Sequence, residues 1–117
     1  MILFAVGLFL GKEAQRDTVI TAQKNTETAS GILEVHFIDV GQGDATLIKC
    51  GTHAMLIDAG DNSKGTAVQY YLKEQGITSL DYLVGTHPDA DHIGGLDVIM
   101  TKFDCGMILM PEIEREI

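Results

Sequence analysis

Apolar and polar positions change period several times along the chain, and each change marks an element. Leu33 to Val40 (LEVHFIDV) is dense in β-branched and aromatic residues and runs into Gly41-Gln42-Gly43-Asp44, the pattern of a strand ending in a tight turn. Ala45 to Lys49 and Met55 to Asp58 read as two further short strands, with Gly51-Thr52 between them as a hairpin signal. Beyond the loop 59–65, Val68, Tyr71 and Leu72 recur at helical spacing, and Gly76 supplies a C′ stop. Ile77 to Leu80 is a connection, Asp81 to Gly85 (DYLVG) a buried strand, Leu96 to Lys102 a short helix, and Gly106 to Met110 a last strand before the charged tail Pro111 to Ile117.

The order βββ-α-β-α-β predicts an α/β (α+β) fold in which a sheet, antiparallel at its start, carries helices on one side, as in one layer pair of an αββα sandwich. The other face of that sheet has no element to cover it. Ahead of the sheet, Ile2 to Leu10 is an uncharged apolar run that suits a signal-peptide core and is too short to span a bilayer unaided. Residues 11–31 are Thr-rich, with three basic and three acidic side chains, and read as a solvated linker. The chain thus divides into a signal or anchor segment with its linker over 1–31 and a folded unit over 32–117. An extracellular or cell-surface location, and membrane anchoring through the first segment, follow from that division.

Composition narrows the choice. A hydrophobic fraction of 45% in 117 residues is enough for one modest core. Because the linker is neutral, the whole formal charge of −9 falls on residues 32–117. That acidity argues against a broad basic track for nucleic acid and suits cations, since two divalent ions offset about four negative charges. Cys50 and Cys105 lack any CxxC spacing, which excludes a zinc finger; they read as small core residues, or as a pair if the protein is exported. The pattern carries no signal for an oligomeric state.

The chemistry concentrates in Thr86-His87-Pro88-Asp89-Ala90-Asp91-His92-Ile93-Gly94-Gly95, directly after the DYLVG strand, where α/β sheets place ligands. His87, Asp89, Asp91 and His92 are candidate ligands within six residues, and two of the four histidines in the chain fall here. Imidazole nitrogen with carboxylate oxygen suits Zn²⁺, Mn²⁺ or Fe²⁺. Without a cation, such crowding is costly through repulsion and desolvation. His87 and Asp89, two apart, can converge on one ion, while Asp91 and His92 point differently and can serve a second. Gly94 and Gly95 let backbone pack closely beneath the loop.

Other positions are weighed against this loop. Asp58 ends an apolar strand, where a carboxylate needs partners, and reads as a support for the metal loop or as a turn cap. The Gly41, Gly43 and Asp44 turn fits a tight bend and can lie beside the site, but one GxG is a weak signal for phosphate binding and the turn reads mainly as structural. Asp61 and Asn62 are turn or capping residues, or contacts to substrate. His36 and His53 read as structural or surface histidines, and Tyr70, Tyr71 and the methionines as helix packing and core.

With these residues in view, THPDADHIGG resembles the HxHxDH signature loop of the metallo-β-lactamase superfamily, with Asp89 where the second His stands. Together with Asp58 in LIDAG and the upstream DVGQGD, residues 33 to about 110 are similar to the hydrolase domain of ComEC-type competence proteins. The resemblance implies an αββα sandwich of which this sequence is the first half. It implies that His87 and Asp89 bind metal one, that Asp91 and His92 belong to metal two, and that Asp58 acts near them. Later ligands of the family come from the second half, and no histidine follows His92 here.

The implied activity is hydrolysis of a phosphodiester, nucleic acid or related ester by hydroxide bridging two divalent ions, Zn²⁺ or Mn²⁺, with Asp91 as the catalytic residue that orients the nucleophile. Asp89, a harder donor than His, shifts preference toward Mn²⁺ and away from β-lactam hydrolysis. Nucleic acid and a small phosphoester both stand as substrates. The alternative is a truncated, non-catalytic exported module that binds metal.

Overall fold

In the computed structural model, which describes residues 4–8 and 17–21 as backbone and 31–112 in full, the expected sheet and helices follow in the expected order. Most of the signal run and linker, and the end of the charged tail at 113–117, lie outside the described residues. β1 (Phe4–Leu8) and β2 (Asp17–Thr21) pair antiparallel as a separate two-stranded ribbon. β2 lies within the stretch read as linker, and its run of Thr, Val and Ile favours a strand.

The main sheet contains β3 (Leu33–Phe37), β4 (Thr46–Cys50) and β5 (His53–Ile57), joined as an antiparallel meander. Helix α1 (Gly65–Glu74) then crosses over to β6 (Ser79–Val84), which pairs parallel to β5. A single turn, α2 (Ala90–Ile93), and α3 (Leu96–Lys102) cross over in turn to β7 (Asp104–Leu109), parallel to β6. Parallel neighbours need such crossovers, so the switch from hairpins to helices is what turns the sheet from antiparallel to parallel. The expected connection at Ile77 to Leu80 is shorter than read, because Ser79 and Leu80 already pair with Asp104 and Cys105.

One row of side chains fixes the inner face. Leu47, Leu56 and Leu83 stand opposite one another across β4, β5 and β6, and all three are fully buried. Val68 and Leu72 from α1, four apart on one helical face, and Leu96 and Ile99 from α3 close over them. Burying each such side chain contributes roughly 1.5–3 kcal/mol. Among the described residues, no element covers the opposite face. Val35, Ile48, Met55, Tyr82 and Met107 form the matching row across all five strands, and the last four line a cavity of about 490 Å³ open on that side.

Two expectations need correction. Tyr70 is exposed and plays no part in packing, and Met100, Met107 and Met110 are exposed rather than core, whereas Tyr71 packs beside the core and meets His36, its hydroxyl 2.7 Å from Nδ1. The two cysteines cannot pair within this chain: β5 and β6 separate their strands, and three strand spacings amount to about 14 Å, twice the reach of a disulfide. Both are half-buried, but only Cys105 packs against the core as the core reading has it, whereas Cys50 lines the cavity on the opposite face. Among the described residues, no helix is long and apolar enough to cross a membrane.

Candidate metal centre

The C-terminal ends of β5 and β6 lie side by side, with Ile57 paired to Val84, so the segments that leave them emerge together. Asp58 is the first residue past β5. Its N–H donates to Val84 O at 2.8 Å, and its backbone takes φ 59, a left-handed conformation that Asp tolerates better than most residues. That twist turns the buried carboxylate toward the 86–95 loop.

There Asp58 meets three donors. Thr86 gives its N–H to Oδ1 at 2.8 Å and its hydroxyl to Oδ2 at 2.6 Å, and His92 Nδ1 lies 3.2 Å from Oδ2. These contacts fix both imidazole tautomers. An ionised carboxylate only accepts, so the Thr86 hydroxyl proton is committed to Asp58 and Oγ1 can only accept from His87 Nδ1, 2.9 Å away. By the same rule His92 Nδ1 carries the proton that faces Asp58. Both rings are thereby left with the lone pair on Nε2, the atom available to a metal.

The rings lie with centroids 3.8 Å apart and planes tilted by 50°. One ligand atom from each of Asp58, His87 and His92 lies within 4.8 Å of the others, and because the Asp58 oxygens are already taken by Thr86 and His92, Asp58 supports the two rings in this arrangement. Among the described residues these three form the one such group. The two carboxylates expected with them flank the rings: Asp89 Oδ2 is 3.4 Å from His87 Nε2, and Asp91 Oδ1 is 3.7 Å from His92 Nε2. Each imidazole thus has one carboxylate of the loop nearby, Asp89 beside His87 and Asp91 beside His92. Asp89 is well exposed and Asp91 partly so.

Burial works against charge on His92, but the hydrogen bond to Asp58 and the charges of Asp91, Asp58 and Asp44 outweigh it and raise its pKa above the ordinary value. This is the electrostatic signature of a place that attracts positive charge.

Backbone bonds hold the loop down. His92 N and Ile93 N donate to Asp89 O to start α2, Ala59 N donates to His92 O at 2.8 Å, and Gly95 N donates to Gly60 O at 3.0 Å. At Gly95 a Cβ would stand 2.3 Å from Ala59 O, so only glycine lets the loop lie so close to the end of β5.

The remaining candidates separate cleanly. Asp61 accepts from the Ser63 N–H at 2.7 Å and the Ser63 hydroxyl at 2.6 Å, a turn role, and these bonds hold its carboxyl below the usual range. His53 sits at the far end of the sheet with Nδ1 3.2 Å from Asp81, and His36 bridges Glu34 and Tyr71, so neither reaches the loop. Two residues that belong to the site were read otherwise or passed over in the sequence. Thr86 carries the relay between Asp58 and His87, and its signal was its place as first residue after the strand. Asp44, read as part of a structural turn, stands with Oδ2 3.3 Å from His92 Nδ1.

Comparison with known proteins bears on the family and the fold. The sequence model of the metallo-beta-lactamase superfamily matches residues 38–117. Recombination protein 2 of Haemophilus influenzae is 34% identical over 83 residues, covering 67% of this chain and 10% of that protein. ComE operon protein 3 of Bacillus subtilis is 30% identical over 97 residues, covering 68% of this chain and 12% of that protein. The chain therefore spans about a tenth of the length of these curated relatives. Among solved structures, a HARLDQ-motif mutant of the metallo-beta-lactamase from Cronobacter sakazakii superposes with a TM-score of 0.54 at 20% identity, covering 59% of this chain and 28% of that one. At that identity the likeness concerns the fold.

Proposed function

The chain belongs to the metallo-β-lactamase superfamily, and from that premise we propose that the protein hydrolyses a phosphodiester or a related ester at a divalent-metal site on the 86–95 loop. The observation that carries this reading is the gathering of His87 and His92 about Asp58, whose hydrogen bonds leave Nε2 of both imidazoles open. In this reading His87 and Asp89 hold one ion, Asp91 and His92 hold a second, and the ions are Zn²⁺ or Mn²⁺. Divalent cations held there supply Lewis acidity and lower the pKa of water to near neutrality.

The chain's own residues do the positioning. Asp58, whose oxygens are occupied by Thr86 and His92, orients the rings. Asp91 orients the attacking water and is the catalytic residue of this proposal. Asp89, exposed beside His87, adds a hard oxygen donor.

Nucleic acid is the favoured substrate, supported by the relative named for recombination and by the ComEC-type motifs. The formal charge of −9 favours a second substrate class, a small phosphoester that needs no extended basic track. An exported location, with anchoring through the apolar run Ile2 to Leu10, belongs to the same proposal.

The test is to purify the protein, measure bound Zn²⁺ and Mn²⁺ by elemental analysis, and assay single-stranded DNA and bis(p-nitrophenyl) phosphate. His87→Ala and Asp91→Ala are expected to lose metal and turnover together. Stoichiometric metal retained by both variants refutes the ligand assignment, and metal binding without turnover of either substrate favours the non-catalytic module.

A further inference from the structure

His92 Nδ1 has two carboxylates within reach, and only one of them is buried. Asp58 Oδ2 lies 3.2 Å away but already takes the Thr86 hydroxyl at 2.6 Å. Asp44 Oδ2 lies 3.3 Å away, on the solvent side, with its side chain 71% exposed. An exposed carboxylate drifts unless its backbone is fixed, and here the backbone is fixed at every point. Asp44 N donates to Asp91 O at 3.3 Å, and Asp44 O accepts from Gly60 N at 2.9 Å. The turn ahead of it is closed by Gly41 N donating to Asp39 Oδ1 at 2.9 Å. At Gly43 a Cβ would stand 1.9 Å from Asp91 O, so the turn is pressed flat against the metal loop. The GQGD turn thus bridges both chain segments of the site: Gly60, beyond Asp58, and Asp91, beside His92.

We infer that Asp44 is a positioning residue for His92: Asp58 takes the Nδ1 hydrogen bond, and the Asp44 carboxylate, 3.3 Å away on the solvent side, sets a second negative charge beside the same nitrogen, which favours the Nδ1-protonated, Nε2-open tautomer. Asp58 restrains the ring from the core side and Asp44 from the solvent side. A ring held from both sides loses little freedom when a cation arrives, which is how outer partners raise the affinity of an imidazole ligand. The metal consequence rests on the functional reading above; the ring's tautomer and orientation do not.

Two measurements on the full chain keep these apart. The first is the imidazole ¹⁵N spectrum of His92 in metal-free protein, assigned with His92→Gln, for wild type, Asp44→Ala and Asp44→Asn. The second is Zn²⁺ affinity by calorimetry for the same three proteins. Asp44→Ala is expected to move His92 toward mixed tautomers and to weaken Zn²⁺ about tenfold. Asp44→Asn, which keeps the shape but removes the charge, is expected to behave like Asp44→Ala, and a full return of the single tautomer in Asp44→Asn overturns the inference. Unchanged His92 ¹⁵N signals in Asp44→Ala overturn the inference whatever the metal does. Altered signals in a wild-type background that takes up no Zn²⁺ leave the ring-positioning role standing and remove the metal site.

Discussion

Thr86 is bound twice to Asp58, through its N–H at 2.8 Å and its hydroxyl at 2.6 Å, and this double bond ties the end of β6 to the end of β5. Thr86→Val keeps the shape and the backbone bond but removes the hydroxyl, and it is expected to cost about 1–2 kcal/mol by urea unfolding. Asp58→Ala strips the acceptor from three donors and is expected to cost about 2–4 kcal/mol. A Thr86→Val protein as stable as wild type would show that the hydroxyl bond adds nothing to the fold.

Two glycines of one turn have opposite expected sensitivities. Gly41 and Gly43 both have positive φ, 74° and 109°, but a Cβ at Gly41 meets nothing within 4 Å while one at Gly43 lands 1.9 Å from Asp91 O. Gly41→Ala is therefore expected to lose about 1–2 kcal/mol from its backbone conformation alone. Gly43→Ala must also push the metal loop away, so it is expected to lose clearly more and to alter the His87 and His92 resonances. Equal melting temperatures for the two variants would contradict the close packing of turn on loop.

Much of this arrangement could be read from the sequence, for identifiable reasons. Strands and helices with strong periodicity, such as the Val68/Leu72 stripe and the Leu96 to Lys102 helix, were legible because one face of each is buried. The ligand loop was legible because its residue types are scarce and its place after a buried strand is informative. The register that puts Leu47, Leu56 and Leu83 in one row was not legible, since pairing across strands depends on distant residues. Asp44 was legible only as a turn residue able to lie beside the site, because its place next to His92 depends on a backbone contact to Asp91, 47 positions away in the sequence. Asp58's left-handed backbone leaves no mark on hydrophobic pattern at all.

At the far end of the sheet, Asp81 gives a pH dependence of known sign. The Ala54 N–H at 2.8 Å is the main cause holding its carboxyl below the ordinary range; burial opposes this, and His53 at 3.2 Å assists. A carboxylate with a depressed folded pKa stabilises the fold fully above its unfolded value, about 3.9, and that contribution is lost as pH falls through the lower folded value. The group is partly exposed, so its worth is set at about 0.5–1 kcal/mol. Urea unfolding of wild type and Asp81→Asn is expected to differ by that amount at pH 5 and to converge toward pH 3. A gap that widens on acidification would reverse the sign and defeat the assignment.

The face of the sheet opposite the helices makes the last prediction. Met55, Tyr82 and Met107 stand in one row, Ile57, Val84 and Leu109 in the next, and Tyr82 and Met107 are 44% and 50% exposed. Phe37, at the end of β3, is 84% exposed. Contiguous apolar surface beyond a few hundred Å² is rare on monomeric soluble proteins and marks an interface or an aggregation site. The 117-residue chain is therefore expected to bind the dye ANS strongly and to self-associate as concentration rises. Tyr82→Lys with Met107→Lys is expected to suppress both without lowering the unfolding midpoint, because neither side chain belongs to the core on the helix side. Leu56→Ala, one position along from Met55 and fully buried, is expected instead to cost about 2–5 kcal/mol and to leave dye binding high. The contrast between neighbours on one strand isolates the face from the fold, and a double lysine variant that melts as early as Leu56→Ala would mean that the two faces have been assigned the wrong way round.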